Sequence, residues 1–237
     1  MPARFSSWTN TTMDHLKRLA AIAALEAVKD GMIVGLGTGS TASHFIRELG
    51  LRVHQGLRVH GIPTSEQSHK LAVDVGVPLI TLRENAAIDV TVDGADEVSD
   101  DLDLIKGLGG ALVREKVVAH ASKRLIIVVD ETKLTARLGH KTPIPVEVVP
   151  FAVDVVRAQL VLWGGEPKLR EKDGEPFVSD NGNLILDWWH GPIDQPWALE
   201  KQIKGVTGVV DSGIFANVAS EVIAATSGGI RKLQRKG

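Results

Sequence analysis

Between Asp93 and Lys116 the chain gathers carboxylates, a lysine and glycines at spacings that suit proton transfer on a small anionic substrate. The stretch reads Asp93-Gly94-Ala95-Asp96-Glu97, then Lys106-Gly107-Leu108-Gly109-Gly110, then Arg114-Glu115-Lys116. Carboxylates take protons, an ammonium holds an oxyanion, and glycines let backbone N–H groups approach a ligand closely. Asp93 follows the apolar run Ile88 to Val92, which places it at the carboxyl end of a strand, where open α/β sheets bind ligands. Asp96 is expected to share that site and Glu97 to face solvent. Lys106 ends a second apolar run and opens into a flexible loop or an anion-binding nest. Arg114, Glu115 and Lys116 span roughly 200° of a helix, too much for one solvated face. Ala111, Leu112, Val118 and Ala119 surround Glu115 at helical spacing, an environment that raises a carboxyl pKa. Arg114 has similarly apolar neighbours, so periodicity alone does not choose the base.

A second cluster, Gly35-Leu36-Gly37-Thr38-Gly39-Ser40-Thr41, follows a strand and opens a helix, the setting in which amides and the helix dipole hold phosphate. A dinucleotide fingerprint needs a third glycine where Ser40 stands and an acid after the next strand, near Val59; both are absent. An ATP-type loop needs a lysine where Gly39 stands. The loop therefore suits a simple phosphate, with Ser40 and Thr41 adding hydroxyl donors.

These residues must be carried by a regular frame. Apolar positions from Leu16 to Val28 recur at helical spacing, predicting a helix over 13–30 with Thr12 as N-cap and Gly31 as stop; residues 1–12 read as a frayed end. Strands are expected at Met32-Ile33-Val34, 57–62, 77–82, 88–92, 102–105 and 125–129, with helices over 41–49, 68–75 and 111–121 between some of them. Apolar strands alternating with helices give an α/β fold, a Rossmann-like doubly wound, mostly parallel sheet. After Thr142-Pro143-Ile144-Pro145 the order changes to strand 146–149, helix 153–162, strands near 167–170 and 184–187, helix near 197–203 and strand 208–210. This β-α-β-β-α-β order is that of a smaller ferredoxin-like α+β domain. The domain reading is thus 1–141 with 213–237 for the catalytic part and 142–212 for the small one, with 214–225 returning to the first sheet. Four of the five tryptophans, Trp163, Trp188, Trp189 and Trp197, fall in the small part, as core or subunit contacts.

With 237 residues, 43% of them apolar, the chain can bury a large core. A net charge of -2 offers no general attraction to nucleic acid or anionic membrane, and the basic tail Arg231-Lys232 to Arg235-Lys236 reads as a solvated end. No cysteine is present, which excludes disulfides and thiolate chemistry and suits a cytoplasmic protein. No apolar run approaches the roughly 20 residues that cross a bilayer. The eight histidines form no pair at metal spacing, and no nucleophile elbow appears.

Taken together, Gly37-Thr38-Gly39-Ser40-Thr41, Ile62-Pro63-Thr64-Ser65, Asp93-Gly94-Ala95-Asp96-Glu97, Lys106-Gly107, Arg114-Glu115-Lys116, Asp130 to Lys133, Pro145-Val146-Glu147-Val148 and Asp180-Asn181-Gly182-Asn183 resemble the ribose-5-phosphate isomerases of type A. That resemblance implies interconversion of D-ribose 5-phosphate and D-ribulose 5-phosphate in the non-oxidative pentose phosphate pathway, without metal or organic cofactor. It implies Glu115 as the base acting through an enediolate, Lys106 as the stabiliser of its charge, and Asp93 and Asp96 as binders of sugar hydroxyls that assist ring opening. Thr38, Gly39, Ser40 and Thr41 would hold the phosphate. Gly94, Ala95, Gly107, Leu108, Gly109 and Lys133 would complete the site, and Lys17 would reach the phosphate. Leu108 departs from the glycine or arginine of many members, but an amide contact survives that change. The implied partner is a small sugar phosphate, with no nucleic acid or membrane, in a homo-oligomer, dimer or tetramer. Two rival readings are a non-catalytic sugar-phosphate sensor and a CoA-using transferase of similar architecture. The first lacks room for a DNA-binding segment before Met13, and the second lacks its signature.

Overall fold

The computed structural model describes residues 5–235. The first helix, α1 (Phe5–Ala24), continues as a short 3-10 turn to Ala27 and then gives way to extended chain. Helix therefore begins well before the expected N-cap: Thr12 lies inside α1, and only residues 1–4 of the expected frayed end fall outside the described residues. From there the chain builds β1 (Ile33–Leu36), α2 (Ser40–His54), β2 (His60–Pro63), α3 (Glu66–Asp74) and β3 (Val90–Asp93). Two short strands follow, β4 (Glu97–Val98) and β5 (Leu104–Ile105), then α4 (Leu112–His120) and β6 (Leu125–Asp130).

The second half begins with β7 (Ile144–Val148), α5 (Val153–Leu162), β8 (Glu166–Leu169), the small hairpin of β9 (Glu171–Lys172) and β10 (Glu175–Pro176), and β11 (Leu184–Trp189). It ends with α6 (Pro196–Lys204), β12 (Val209–Ser212), β13 (Ile214–Phe215), β14 (Glu221–Thr226) and β15 (Gly229–Gln234).

Six strands form the main sheet in the order β15-β14-β6-β3-β1-β2. All its pairings are parallel except that of β14 with β15. A strand buried on both faces should be apolar throughout, and Leu125-Ile126-Ile127-Val128-Val129 is buried along its whole length. Helices α1 and α2 cover one face, where Leu16, Ala20, Ala24, Phe45, Ile46 and Leu49 pack against Val34, Leu36, Val92 and Val128. A four-stranded antiparallel sheet, order β12-β7-β11-β8, forms around α5 and α6 with its own core of Val146, Val148, Leu160, Leu186 and Trp188. Between the two lies a three-stranded sheet, β13-β5-β4. The fold class is thus the expected one, a mostly parallel α/β sheet joined to a smaller α+β unit.

Three further elements differ from expectation. Residues 77–82 form no strand; Gly61 pairs with Leu79 in one parallel bridge. Pro78 has no N–H for a ladder, and Thr81 turns the chain by bonding its amide and hydroxyl to Glu84. The basic tail is largely exposed, as expected of a solvated end, but it is ordered up to Arg235. It forms the edge strand β15, with Lys232 paired to Glu26 and Arg235 to Asp103; Lys236 lies outside the described residues. Thirdly, Ile214–Phe215 joins β5, and only Glu221–Thr226 returns to the main sheet.

Candidate active site

The carboxyl ends of β1 and β3 point the same way and lie side by side, which brings the loop after β1 against Asp93. Asp93 is 1% exposed, and both its oxygens are engaged. Oδ1 accepts the amides of Thr38 at 3.0 Å and Gly94 at 2.7 Å; Oδ2 lies 3.0 Å from Lys106 Nζ. Burial pushes the Asp93 carboxyl up, while Lys106 and the two amides pull it down. Lys106, 2% exposed at the end of β5, also donates to the Gly94 carbonyl and lies 3.5 Å from Glu115 Oε2. Burial works against its ammonium, but Asp93 and Glu115 outweigh that, and its pKa is raised. Beneath it the face of Phe215 stands 5.5 Å from Nζ, a further support for the cation.

Glu115 sits in the first turn of α4 and is 4% exposed. Its Oε2 is buried without a hydrogen-bond partner. Loss of hydration pushes the carboxyl up to about 8, Lys106 acting in the opposite direction and Asp93 and Asp96 adding to the rise. A carboxyl with such a value can both accept and return a proton near neutral pH. Its neighbours diverge around the helix, as their angular spread requires. Lys116 is buried against Glu200 and Asp211 with a bond to the Ile214 carbonyl, whereas Arg114 pairs with Glu66 on the outside.

A cleft of about 90 Å³ opens over these groups, lined by Thr38, Gly39, Ser40, Thr41, Gly94, Ala95, Asp96, Lys106, Gly107, Gly109, Glu115 and Lys133. The first-turn amides of α2 have no helical acceptors and supply an anion site at one side of it. Thr38 is held there through its hydroxyl, which donates to Ser65 Oγ at 2.8 Å and shares a 2.8 Å bond with Thr64. Ser65 in turn caps α3 by accepting from the Ser68 amide. Lys133 arrives on the turn after β6 that Asp130 caps through the Thr132 amide.

Three expected residues stand apart from this lining. Asp93 lies under the cleft and fixes Lys106 and Thr38, while the Leu108 side chain is 40% exposed and only its amide takes part, donating to Asp96 Oδ2 at 3.0 Å. Lys17 is not in the lining. Glu97 corrects the sequence reading outright. Instead of facing solvent it is fully buried, accepting the amides of Gly139, Lys141 and Thr142 and the Thr142 hydroxyl. Three amides from a loop some forty residues away offset the cost of burying a carboxylate.

Sequence reasoning gave no role to Arg170 or Phe177. Arg170, in a bidentate pair with Asp187, donates to the carbonyls of Gly107 at 2.8 Å and Leu108 at 3.1 Å, so the small unit grips the glycine loop. Phe177 packs so close to Gly110, where φ is 86°, that any Cβ there would collide with its ring. No local pattern marks such residues, because their partners lie about sixty residues away.

Residues 60–229 match the family described as ribose 5-phosphate isomerase A (phosphoriboisomerase A). The ribose-5-phosphate isomerase A of Gloeobacter violaceus is 52% identical over 222 residues, 93% of this chain and 96% of that one. Its namesake from Methanothermobacter thermautotrophicus is 48% identical over 223 residues, 93% and 98% of the two chains. Among solved structures, ribose 5-phosphate isomerase A from Methanocaldococcus jannaschii superposes with a TM-score of 0.90 at 45% identity, covering 93% of this chain and 99% of that one. A D-ribose-5-phosphate isomerase in complex with phospho-erythronic acid gives 0.92 at 39% identity, covering 94% and 99%. With identity near one half sustained over nine-tenths of its length and the same fold throughout, this chain belongs to the ribose-5-phosphate isomerase A family.

Proposed function

We propose that the chain interconverts D-ribose 5-phosphate and D-ribulose 5-phosphate at the cleft between α2 and α4, with Glu115 as the proton carrier. The observation that carries this reading is the buried, unbonded Glu115 Oε2 with an ammonium 3.5 Å away. A proton α to a carbonyl is weakly acidic, so its removal requires a base together with stabilisation of the oxygen that becomes negative. With the phosphate on the α2 amides and the Thr38–Thr41 loop, the ionised Glu115 takes the proton from C2 of the open-chain aldose. Negative charge develops on O1, within reach of Lys106. Glu115 returns the proton to C1, a proton passes from the C2 hydroxyl to O1, and the C2 carbonyl of the ketose results. Asp96 and the glycine-loop amides orient the sugar hydroxyls, Asp93 keeps Lys106 and Thr38 in place, and Lys133 closes the open side.

A relative binds phospho-erythronic acid, whose planar carboxylate has the shape of an enediolate end group, and this supports the same assignment. On this reading 1–141 with 213–237 form the catalytic domain and 142–212 the small one. A phosphorylated sugar substrate suits a cytoplasmic site of action, and no described helix is long and apolar enough to cross a membrane. Phe151 is 99% exposed, and Val155 and Leu162 on the following helix are exposed as well, which supports a homo-oligomer; sedimentation as a monomer at micromolar concentration would overturn that assembly.

The test of the reaction is direct. Purified protein treated with EDTA should convert ribose 5-phosphate to ribulose 5-phosphate. A folded protein without turnover under these conditions sinks the metal-free isomerase.

A further inference from the structure

Arg114 stands next to the base in sequence yet lines no part of the cleft; its side chain, 35% exposed, reaches away from it to Glu66 and the turn at Asp180 and Asn181. There the guanidinium makes three different contacts. Nη1 donates to Glu66 Oε1 at 2.7 Å, Nη2 to the Asp180 carbonyl at 2.9 Å, and Nε to Asn181 Oδ1 at 3.1 Å. Glu66 closes the ring from its own amide, which donates to Asp180 Oδ2 at 2.9 Å.

What Arg114 grips is itself anchored. Asn181 donates through Nδ2 to Glu147 Oε1, which also accepts from Ser179 Oγ at 2.9 Å and Asn183 Nδ2 at 2.8 Å. Glu147 is fully buried on β7, so the turn 179–183 is tied to the centre of the small unit by a carboxylate with nowhere else to go. On the other side, Glu66 is the residue after Ser65, whose Oγ accepts the hydroxyl of Thr38 in the phosphate loop. One fork thus joins the helix carrying the base, the cap beside the phosphate loop, and the small unit.

From this geometry we infer that Arg114 is a positioning residue for the reaction. Together with Asn181 and Glu147 it sets the separation between the phosphate anchor at Thr38–Thr41 and the Glu115 carboxylate. A substrate held at its phosphate end presents C1 and C2 at a fixed distance, and a base displaced by about 1 Å loses as much as 10²-fold in rate. Half-exposed ion pairs such as Arg114–Glu66 contribute little to stability, so the clasp is better explained by placement than by folding energy. Lysine cannot replace it, because one ammonium cannot reach three divergent acceptors.

The inference rests on the isomerase reading, and the experiment separates the two. Wild type, Arg114→Ala, Arg114→Lys, Asn181→Ala and the Arg114→Ala/Asn181→Ala double variant are assayed with ribose 5-phosphate, and their Tm values are measured. The single variants should lose about tenfold or more in kcat with KM changed less than about threefold, as expected when transition-state alignment rather than ground-state binding is lost. Arg114→Lys should stay close to Arg114→Ala, and the double variant should be no slower than the slower single one, since both release one clasp. An inactive but folded wild type refutes the isomerase reading. An active wild type with variants of normal kcat, with losses confined to KM, or with additive losses overturns the clasp.

Discussion

Lys106 Nζ lies 3.5 Å from Glu115 Oε2, and that oxygen, buried, has no hydrogen-bond partner. The pair is close enough for the ammonium to restrain the carboxyl's rise, yet no amide or hydroxyl bonds this oxygen. Asp93 and Glu97 are buried too, but backbone amides occupy their oxygens: those of Thr38 and Gly94 bond Asp93 Oδ1, and those of Gly139 and Lys141 bond Glu97. Glu115 is left free to change state.

The first consequence is a pH profile. Ionised Glu115 is the active base, and burial holds its carboxyl at about 8, so kcat/KM should rise with pH through an apparent pKa well above the ordinary carboxylate value of 4.5. The apparent value belongs to the cluster of Glu115, Lys106 and Asp93 rather than to one residue. A stopped assay from about pH 5 to 9 checks it. A profile already flat at pH 5.5 would refute the burial argument.

Glu115→Gln keeps the shape of the side chain and removes its ability to take a proton. Turnover should fall by about 10² to 10⁴, the range for loss of a general base, while binding of ribose 5-phosphate stays within a few-fold. Calorimetric titration with the variant supplies the binding half of the comparison. Near-normal kcat would remove Glu115 from the base role.

Lys106→Met removes the cation from between two buried carboxyls. Breaking such a buried cluster costs about 3–5 kcal/mol when the remaining charges stay uncompensated. The sign with pH follows from which state holds protons. In the variant Asp93 and Glu115 have folded pKa values raised above their unfolded ones, so the folded state binds more protons and stability falls as pH increases. Denaturant melts at about pH 6 and pH 9 should show the deficit against wild type growing with pH. An equal deficit at both would contradict the charge argument.

Much of this arrangement was legible from sequence because it is local. The glycine loop opening α2, the acid at the end of β3 and the apolar surroundings of Glu115 are all written within a few residues of each other, in the periods of strand and helix. What escaped depends on partners brought from far along the chain. Asp-Gly-Ala-Asp-Glu looks like an exposed turn, and nothing near Glu97 announces the loop at 139–142 that buries it. The apolar run 77–82 has strand composition but only one bridging position. The residues of β15 read as a tail because a basic edge strand has no apolar alternation to betray it; its pairing comes from β14 alone. Arg170, Phe177 and the Arg114 clasp are likewise contacts between units and leave no periodic trace.

The placement of β14 also bears on the order in which the molecule can be made. Strand β6 ends at Asp130, and its parallel neighbour begins at Glu221, about 90 residues later. At roughly 5–20 residues per second, a ribosome leaves that edge of the nascent sheet open for several seconds. During this interval β7 to β12 emerge as one contiguous block able to close its own four-stranded sheet. The small unit can therefore close before the large sheet is sealed, and the open edge of β6, apolar from Leu125 to Val129 and paired only with β3 until β14 arrives, is the surface a chaperone would have to shield.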